Sequence, residues 1–540
     1  VVEGATLTVT GSNHFLNGKS IINEGRVHWA GGVIDVNEVA SFLNRGEFEL
    51  SANARFGGSV FAPNGTLLLT NTGLIRQQAA GTTSFVGGVT LDNHGAVEIL
   101  AGTVSFGGDG GTHTGSFHAA AGATLEFAEG LHEFEAGSSV TVEGTLRVAG
   151  ATANLDTEVN LSGALVVTAG TANVAPASGA FQPASITVTS TEAVLNLTAL
   201  EPIAPASVTI TDGGTANLNS AVSTSNLSVG GVGSVGGLGG SGEVTLLAGG
   251  AHAWTAGVLA GSGVLRVAPG ATLTVSGNVN HFLNAKPIVN DGRVRWTGGV
   301  IDINANTTFA NRGVLELAAN NQFGNRFAPN GTLLLSNSGL IHQQTGTNSF
   351  IAGVTLVNEA AGVIDVTAGT LGVAAGFASQ GLLAGTGTIN VGTGVLSSFG
   401  TLAPGARSGD TTGTLTIAGN YRQESTGRLE IELDSAAAGG SDVLAVTGTV
   451  TLIGGAALHA ELAEGYQPDP GERFRFMSFA ARNGIFGSTD LPLHAELDQT
   501  DPADLELVTV TGNFAPQAAD DAYATDVDTA LTVAAPGVLG

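Results

Sequence analysis

Two pairs of acids recur in this chain at matching places, Asp35 with Glu49 and Asp302 with Glu316. Two carboxylates at a suitable separation can hydrolyse a glycosidic bond, one as acid and the other as base or nucleophile. Each of the four lies on an alternating stretch, where an outward, solvated acid is the ordinary occupant. Cleavage of a sugar by elimination also leans on a basic residue, and 2 Lys and 16 Arg leave few to serve. The histidines offer less. His113 and His118 are five residues apart with no acid at fixed spacing, whereas zinc needs three or four converging ligands. His14 and His281 occupy equivalent positions, which suits packing or corner hydrogen bonding. His28 corresponds to Arg295, an exchange that a catalytic imidazole would not tolerate. Trp29, Trp254 and Trp296 share a Trp-Gly setting. Aromatic platforms can stack sugars, which makes these three the candidate surface contacts, and packing on the coil beneath is the alternative. No nucleophile elbow, phosphate loop or dinucleotide fingerprint is present.

The elements that would position these residues show themselves as repeats. Phe61-Ala-Pro-Asn-Gly-Thr-Leu-Leu-Leu69 returns unchanged as Phe327 to Leu335, and Trp29-x-Gly31-Gly32-Val33-Ile34-Asp35 returns as Trp296 to Asp302. The offset drifts from 267 at Asn44 to 266 at Phe61 and 265 at Asn93. Within each copy runs a finer beat of Asn-x-Gly ahead of an alternating strand. Asn23, Asn44, Asn71 and Asn93 are spaced by 21, 27 and 22 residues, and Asn290, Asn311, Asn337 and Asn358 by 21, 26 and 21. A period in the twenties with short strands and Gly turns predicts a β-solenoid, in which stacked coils bury what one coil cannot. The Asn at each corner is expected to hydrogen-bond its equivalent in the next coil as a structural ladder. The Gly after it is expected to supply positive φ.

Composition agrees with this reading. Gly accounts for 82 of 540 residues and charged residues for 12%, and no stretch keeps apolar residues at helical spacing. Cysteine is absent, which excludes disulfides and thiolate metal sites. No apolar run of about 18 residues exists to span a membrane. Val1 is not a natural start, which marks the chain as processed or as a segment of something longer. The balance of 45 acidic to 18 basic residues disfavours nucleic acid as a partner. The acid is concentrated after Thr401, where 20 acidic residues face 6 basic ones. A solubilising surface is the ordinary reading, and calcium on acidic turns the functional one.

Five regions follow: a first solenoid copy at 1–104, a Gly/Ala/Thr-rich solenoid at 105–266, a second copy at 267–400, a β-rich cap at 401–512, and the start of a further module or linker strand at 513–540. The stretch Trp254-Thr-Ala-Gly-Val-Leu-Ala-Gly-Ser-Gly-Val-Leu resembles repeats of large secreted or surface-attached bacterial proteins. Gly400-Thr-Leu-Ala-Pro-Gly405, Gly413-Thr-Leu-Thr-Ile417, Leu429-Glu-Ile-Glu-Leu433 and Ser441 to Gly448 resemble the passenger-associated repeat of autotransporters, and Tyr466-x-Pro468 and Gly484-Ile-Phe486 continue the likeness. That resemblance implies a segment closing a parallel β-helix near its C-terminal end. Ala515-Pro516, Asp520-Asp521-x-Tyr523 and Leu531-Thr-Val533 are similar to the opening of cadherin-like or Ig-like adhesin modules. Together these predict an all-β, right-handed parallel β-helix with a β-rich cap, without catalysis or cofactor. It would be extracellular at a bacterial surface. Its partners would be copies of itself or a cell-surface or glycan ligand. Alternatives are a subunit of a self-assembling filament, joined head to tail or by strand donation, and a carbohydrate-binding or carbohydrate-cleaving β-helix.

Overall fold

The computed structural model describes residues 1–510 apart from 52, 58–64, 232–234, 325–330, 345, 347, 352, 406–411 and 438. The 513–540 module and the Phe-Ala-Pro-Asn part of the repeated nonapeptide lie outside the described residues. The described chain is all-β, a parallel β-solenoid whose coils run along three walls, most of them as three short strands and some as longer strands that cross a corner. Thr6–Val9, Asn13–Leu16 and Ser20–Asn23 form the first coil. Arg26–Trp29, Gly32–Val36 and Ala40–Asn44 form the second, each pairing in parallel with the strand beneath it. No helix occurs among the described residues. The C-terminal end differs: Arg473–Ser478 pairs antiparallel with Asp504–Thr509, which pairs antiparallel with Ala495–Asp498.

Alternation with period two sends every second side chain inward. On the first wall Val27, Phe48, Ile75, Val97 and Phe117 stack in register. On the second, Phe56, Phe85, Phe106 and Phe127 do the same, with neighbouring ring centroids 5.8, 5.2 and 6.2 Å apart. Phe106→Leu keeps an apolar residue and removes the ring that joins this stack. It should cost about 1–2 kcal/mol, read as a lowered midpoint in denaturant.

The corner glycines act for a reason other than the one expected. Gly25, Gly46, Gly73 and Gly95 are not among the residues with positive φ. A Cβ on Gly46 would lie 2.0 Å from the carbonyl oxygen of Gly25, and one on Gly73 2.2 Å from that of Gly46. Consecutive corners approach so closely that only hydrogen fits. Arg45 and Gly46 both donate their amides to the carbonyl of Asn23, and that pair of hydrogen bonds holds the corners together.

The second copy is not stacked in phase with the first. Arg26–Trp29 belongs to the first wall. The equivalent Arg293–Trp296 can be followed downward through Thr272–Val275, His252–Ala260, Asn226–Gly230, Ser207–Thr211 and Ser185–Thr189 to the start of Ala164–Val174. From there the same file runs through Thr145–Leu155, Thr124–Phe127, Thr103–Phe106, Thr82–Phe85 and Ala54–Phe56 to Gly32–Val36. Copy two is therefore turned by one wall around the solenoid axis.

Candidate functional site

The Asn ladder of the first copy is continuous. Asn23 Nδ2 donates to Asn44 Oδ1, Asn44 to Asn71 and Asn71 to Asn93, each at 2.7 Å. Each amide also donates to a backbone carbonyl of the next coil, as Asn44 does to Leu74 O at 3.1 Å. The second ladder links Asn290, Asn311, Asn337 and Asn358 at 2.7, 2.7 and 2.8 Å and passes on to Ser379 Oγ at 2.9 Å. All eight side chains are buried. The first acceptor of each ladder, Oδ1 of Asn23 and of Asn290, has no donor. Below Asn290 stands Val267.

A third ladder escaped the sequence reading. Asn173 donates to Asn154, Asn196 to Asn173 and Asn217 to Asn196 at 2.7, 2.7 and 2.8 Å, on an outer, half-buried row. The signal was there in Thr152-Ala-Asn154, Thr171-Ala-Asn173 and Thr215-Ala-Asn217.

The tryptophans are not surface contacts. Trp29, Trp254 and Trp296 are all buried, because each falls in phase with the inward residues of its strand. Trp29 Nε1 donates to Gly31 O at 3.0 Å and Trp296 Nε1 to Gly298 O at 2.8 Å, which accounts for the Trp-x-Gly spacing. The space between Trp254, Trp296 and Phe323 is an apolar void of about 10 Å³, too small for a ligand.

The paired acids do not converge, nor are they solvated as expected. Asp35 is buried on the second wall and Glu49 on the first; Asp302 and Glu316 are buried one wall further round. Burial acts to raise the Glu49 carboxyl, and hydrogen bonds from His28 and Arg26 outweigh it, holding Glu49 below the usual carboxylate range.

Around Glu49 runs an outward column in register: His28, Glu49, Arg76, Glu98 and His118. The second copy carries Arg295, Glu316, His342 and Asp365 in the same order. Base and acid alternate in both, while three of the four shared positions change identity. Beside this column, Arg45 pairs with Glu24 at 3.1 Å and Arg312 with Asp291 at 3.6 Å.

His113 faces inward and His118 outward, so those two share no site. His113 pairs instead with His132, Nε2 to Nδ1 at 3.1 Å, among Phe117, Phe127 and Phe134. His281 is buried against Trp254 and shares Nε2 between Trp254 O and Ser276 O, and burial lowers its pKa. Its equivalent His14, on the first coil, is half-buried. Among the described residues no group of His, Asp and Glu is placed to hold a metal ion.

One open cleft of about 450 Å³ is lined by Arg428, Glu430, Glu432, Asp442, His459 and Glu461. Asp442 accepts the amides of Gly413 at 2.8 Å and Glu432 at 3.1 Å, and burial pushes its carboxyl up to about 7. His459 contacts Asp490 at 2.8 Å. The sequence showed the acid enrichment here and not the cleft.

No protein-family model matches the chain, and no curated protein matches it. The geometry alone carries the functional argument. No helix among the described residues is long and apolar enough to cross a membrane.

Proposed function

We propose that the chain is a non-catalytic structural element, a rigid stalk or scaffold of a large bacterial surface or secreted protein. The observation that carries this reading is the outward column of alternating basic and acidic residues. Its order of base and acid is kept between copies while His28 becomes Arg295, Arg76 becomes His342 and Glu98 becomes Asp365. A ladder of side-chain pairs needs only a basic residue against an acid at each rung, whereas proton transfer needs a particular group with a matched pKa. Continuous buried amide ladders and walls that run coil to coil support a stiff rod. The resemblance to autotransporter passengers and adhesin modules belongs to this proposal as its extracellular setting. Small-angle scattering of the purified chain tests it: a rod cross-section with a length that scales with coil number is expected. A compact or flexible particle would end the stalk reading.

A second reading, carbohydrate binding or cleavage, is favoured by the cleft of Arg428, Glu430, Glu432, Asp442, His459 and Glu461. A glycan array followed by reducing-end assays separates the two readings. Glu461→Gln and His459→Ala should leave the rod unchanged and remove any glycan signal.

A further inference from the structure

We propose that the first coil is a socket for a strand-forming segment of a second polypeptide, which lays one further parallel coil beneath it. The molecule contains this coil twice, once bare and once covered. Ala5 to Val9 return unchanged as Ala271 to Val275. Asn13 to Asn23 return as Asn280 to Asn290, with Gly18, Ser20 and Ile22 exchanged for Ala285, Pro287 and Val289.

In the second copy the coil rests on 252–267. Thr272–Val275 and Asn280–Asn284 both stand on His252–Ala260, and Ile288–Asn290 stands on Leu265–Val267. Among the described residues, Thr6–Val9, Asn13–Leu16 and Ser20–Asn23 each pair with one strand, the one above. Three open strand edges therefore meet at this end, and an unpaired edge is a template for an added strand.

The bare side chains differ from the covered ones position by position. Leu7 is 45% exposed, whereas Leu273, above His252, is 1% exposed. Ile21 is half-buried, and Ile288 is buried on Leu265. His281 Nε2 reaches Trp254 O of the coil beneath, while His14 Nε2 has no partner. Lys286 is buried and donates Nζ to Ala260 O at 3.2 Å, while Lys19 stands exposed. Only the corner is filled: Val1 O accepts the amides of Glu24 and Gly25, as Val267 O accepts that of Asp291. The seat thus calls for the equivalent of 252–266, with apolar groups under Leu7, Val9, Leu16 and Ile21 and two carbonyls for His14 and Lys19.

A second copy of this chain does not offer that surface. At its far end Arg473–Ser478 is closed off by the antiparallel Asp504–Thr509, and Ser488–Asp490 is polar and exposed throughout. Its own 252–266 is enclosed between coils. The occupant is a partner chain that carries the alternation of 252–266.

A synthetic peptide of residues 250–266 is the probe. The protein has two lysines, Lys19 and Lys286, and the peptide has none. Acylation mapped by mass spectrometry should label Lys19 and spare Lys286, and saturating peptide should abolish the label at Lys19. Leu7→Asp should remove that protection, and Leu200→Asp, at an exposed apolar residue elsewhere, should keep it. Unchanged far-ultraviolet circular dichroism shows that both variants fold. Register is read by disulfide trapping, since the chain has no cysteine of its own. Ala253 pairs with Thr274, the counterpart of Thr8, and neighbouring strands lie within disulfide reach. Thr8→Cys should therefore trap a peptide carrying Ala253→Cys and not one carrying Ser262→Cys. A Lys19 that stays reactive under saturating peptide would overturn the proposal, as would trapping that ignores the position of the peptide's cysteine. So would Thr8→Cys homodimers forming in preference to the peptide adduct, because the end would then take a second copy.

Discussion

Lowering the pH from 7 to 4 is expected to weaken the coils around residues 107–135 by on the order of 5 kcal/mol. The cause is the buried imidazole pair. Burial among phenylalanines, with the mutual repulsion of the two rings, lowers His113 to about 3, and burial lowers His132 to about 4. An unfolded segment takes up protons on both rings below about 6.5, while the folded pair stays neutral. The pair therefore costs nothing above that pH, weakens the fold progressively as the pH falls from about 6.5 toward 4, and its effect levels off near 3, where the folded rings take up protons too. Two imidazoliums 3.1 Å apart cannot share the one hydrogen bond that joins them, and no acid stands by to compensate: His94 is the other titratable group whose charge acts on His113. Hydrogen exchange of peptides from this region, corrected for intrinsic rates at each pH, should show protection falling here ahead of the flanking coils. Replacing both with apolar residues, His113→Phe and His132→Leu, should flatten that local pH dependence. If the variant loses protection on acidification as wild type does, carboxylates and not this pair set the response.

Asn311→Ala should cost on the order of 3 kcal/mol, well above an ordinary surface substitution. It removes the amide that receives from Asn290 and donates to Asn337 and Leu340 O; Asn290 keeps its bond to Val314 O, while its second N–H and Asn337 Oδ1 are left buried without the partner they had. Asn196→Ala, in the outer ladder, cuts the same number of side-chain links where water can replace them. It should cost under about 1 kcal/mol. Chemical denaturation of both variants checks the contrast. Equal costs would mean that burial does not set the value of a ladder rung.

Much of this architecture could be read from the chain itself. Asn-x-Gly at a period in the twenties announced coils, corners and the two inner ladders, because the same residue at the same corner must stack on its own image. The inward turn of Trp29 was also readable. Val27 and Trp29 are both inward and His28 lies between them, so period two alone places the indole in the core. The cover over Asp35 was not readable, since alternation puts that acid outside and only the folded surroundings bury it. The pairing of His113 with His132 was equally hidden, because it joins different coils through a shift of 19 residues that no motif marks. The turn of copy two stayed hidden for a different reason. Thr145–Leu155, Ala164–Val174 and His252–Ala260 each run across a corner without a break, so walls cannot be counted from turn residues.

That uncounted middle, from 105 to 266, sets a compass bearing as well as a length. Excising one whole coil from it would bring the two copies nearer along the rod and leave the angle between them as it is, apart from the solenoid's own gradual twist. Excising a single strand's worth of chain would swing the second copy's equivalent faces to another wall at almost the same distance. Reach and direction are thus separately adjustable in this molecule, one by whole coils and the other by the remainder.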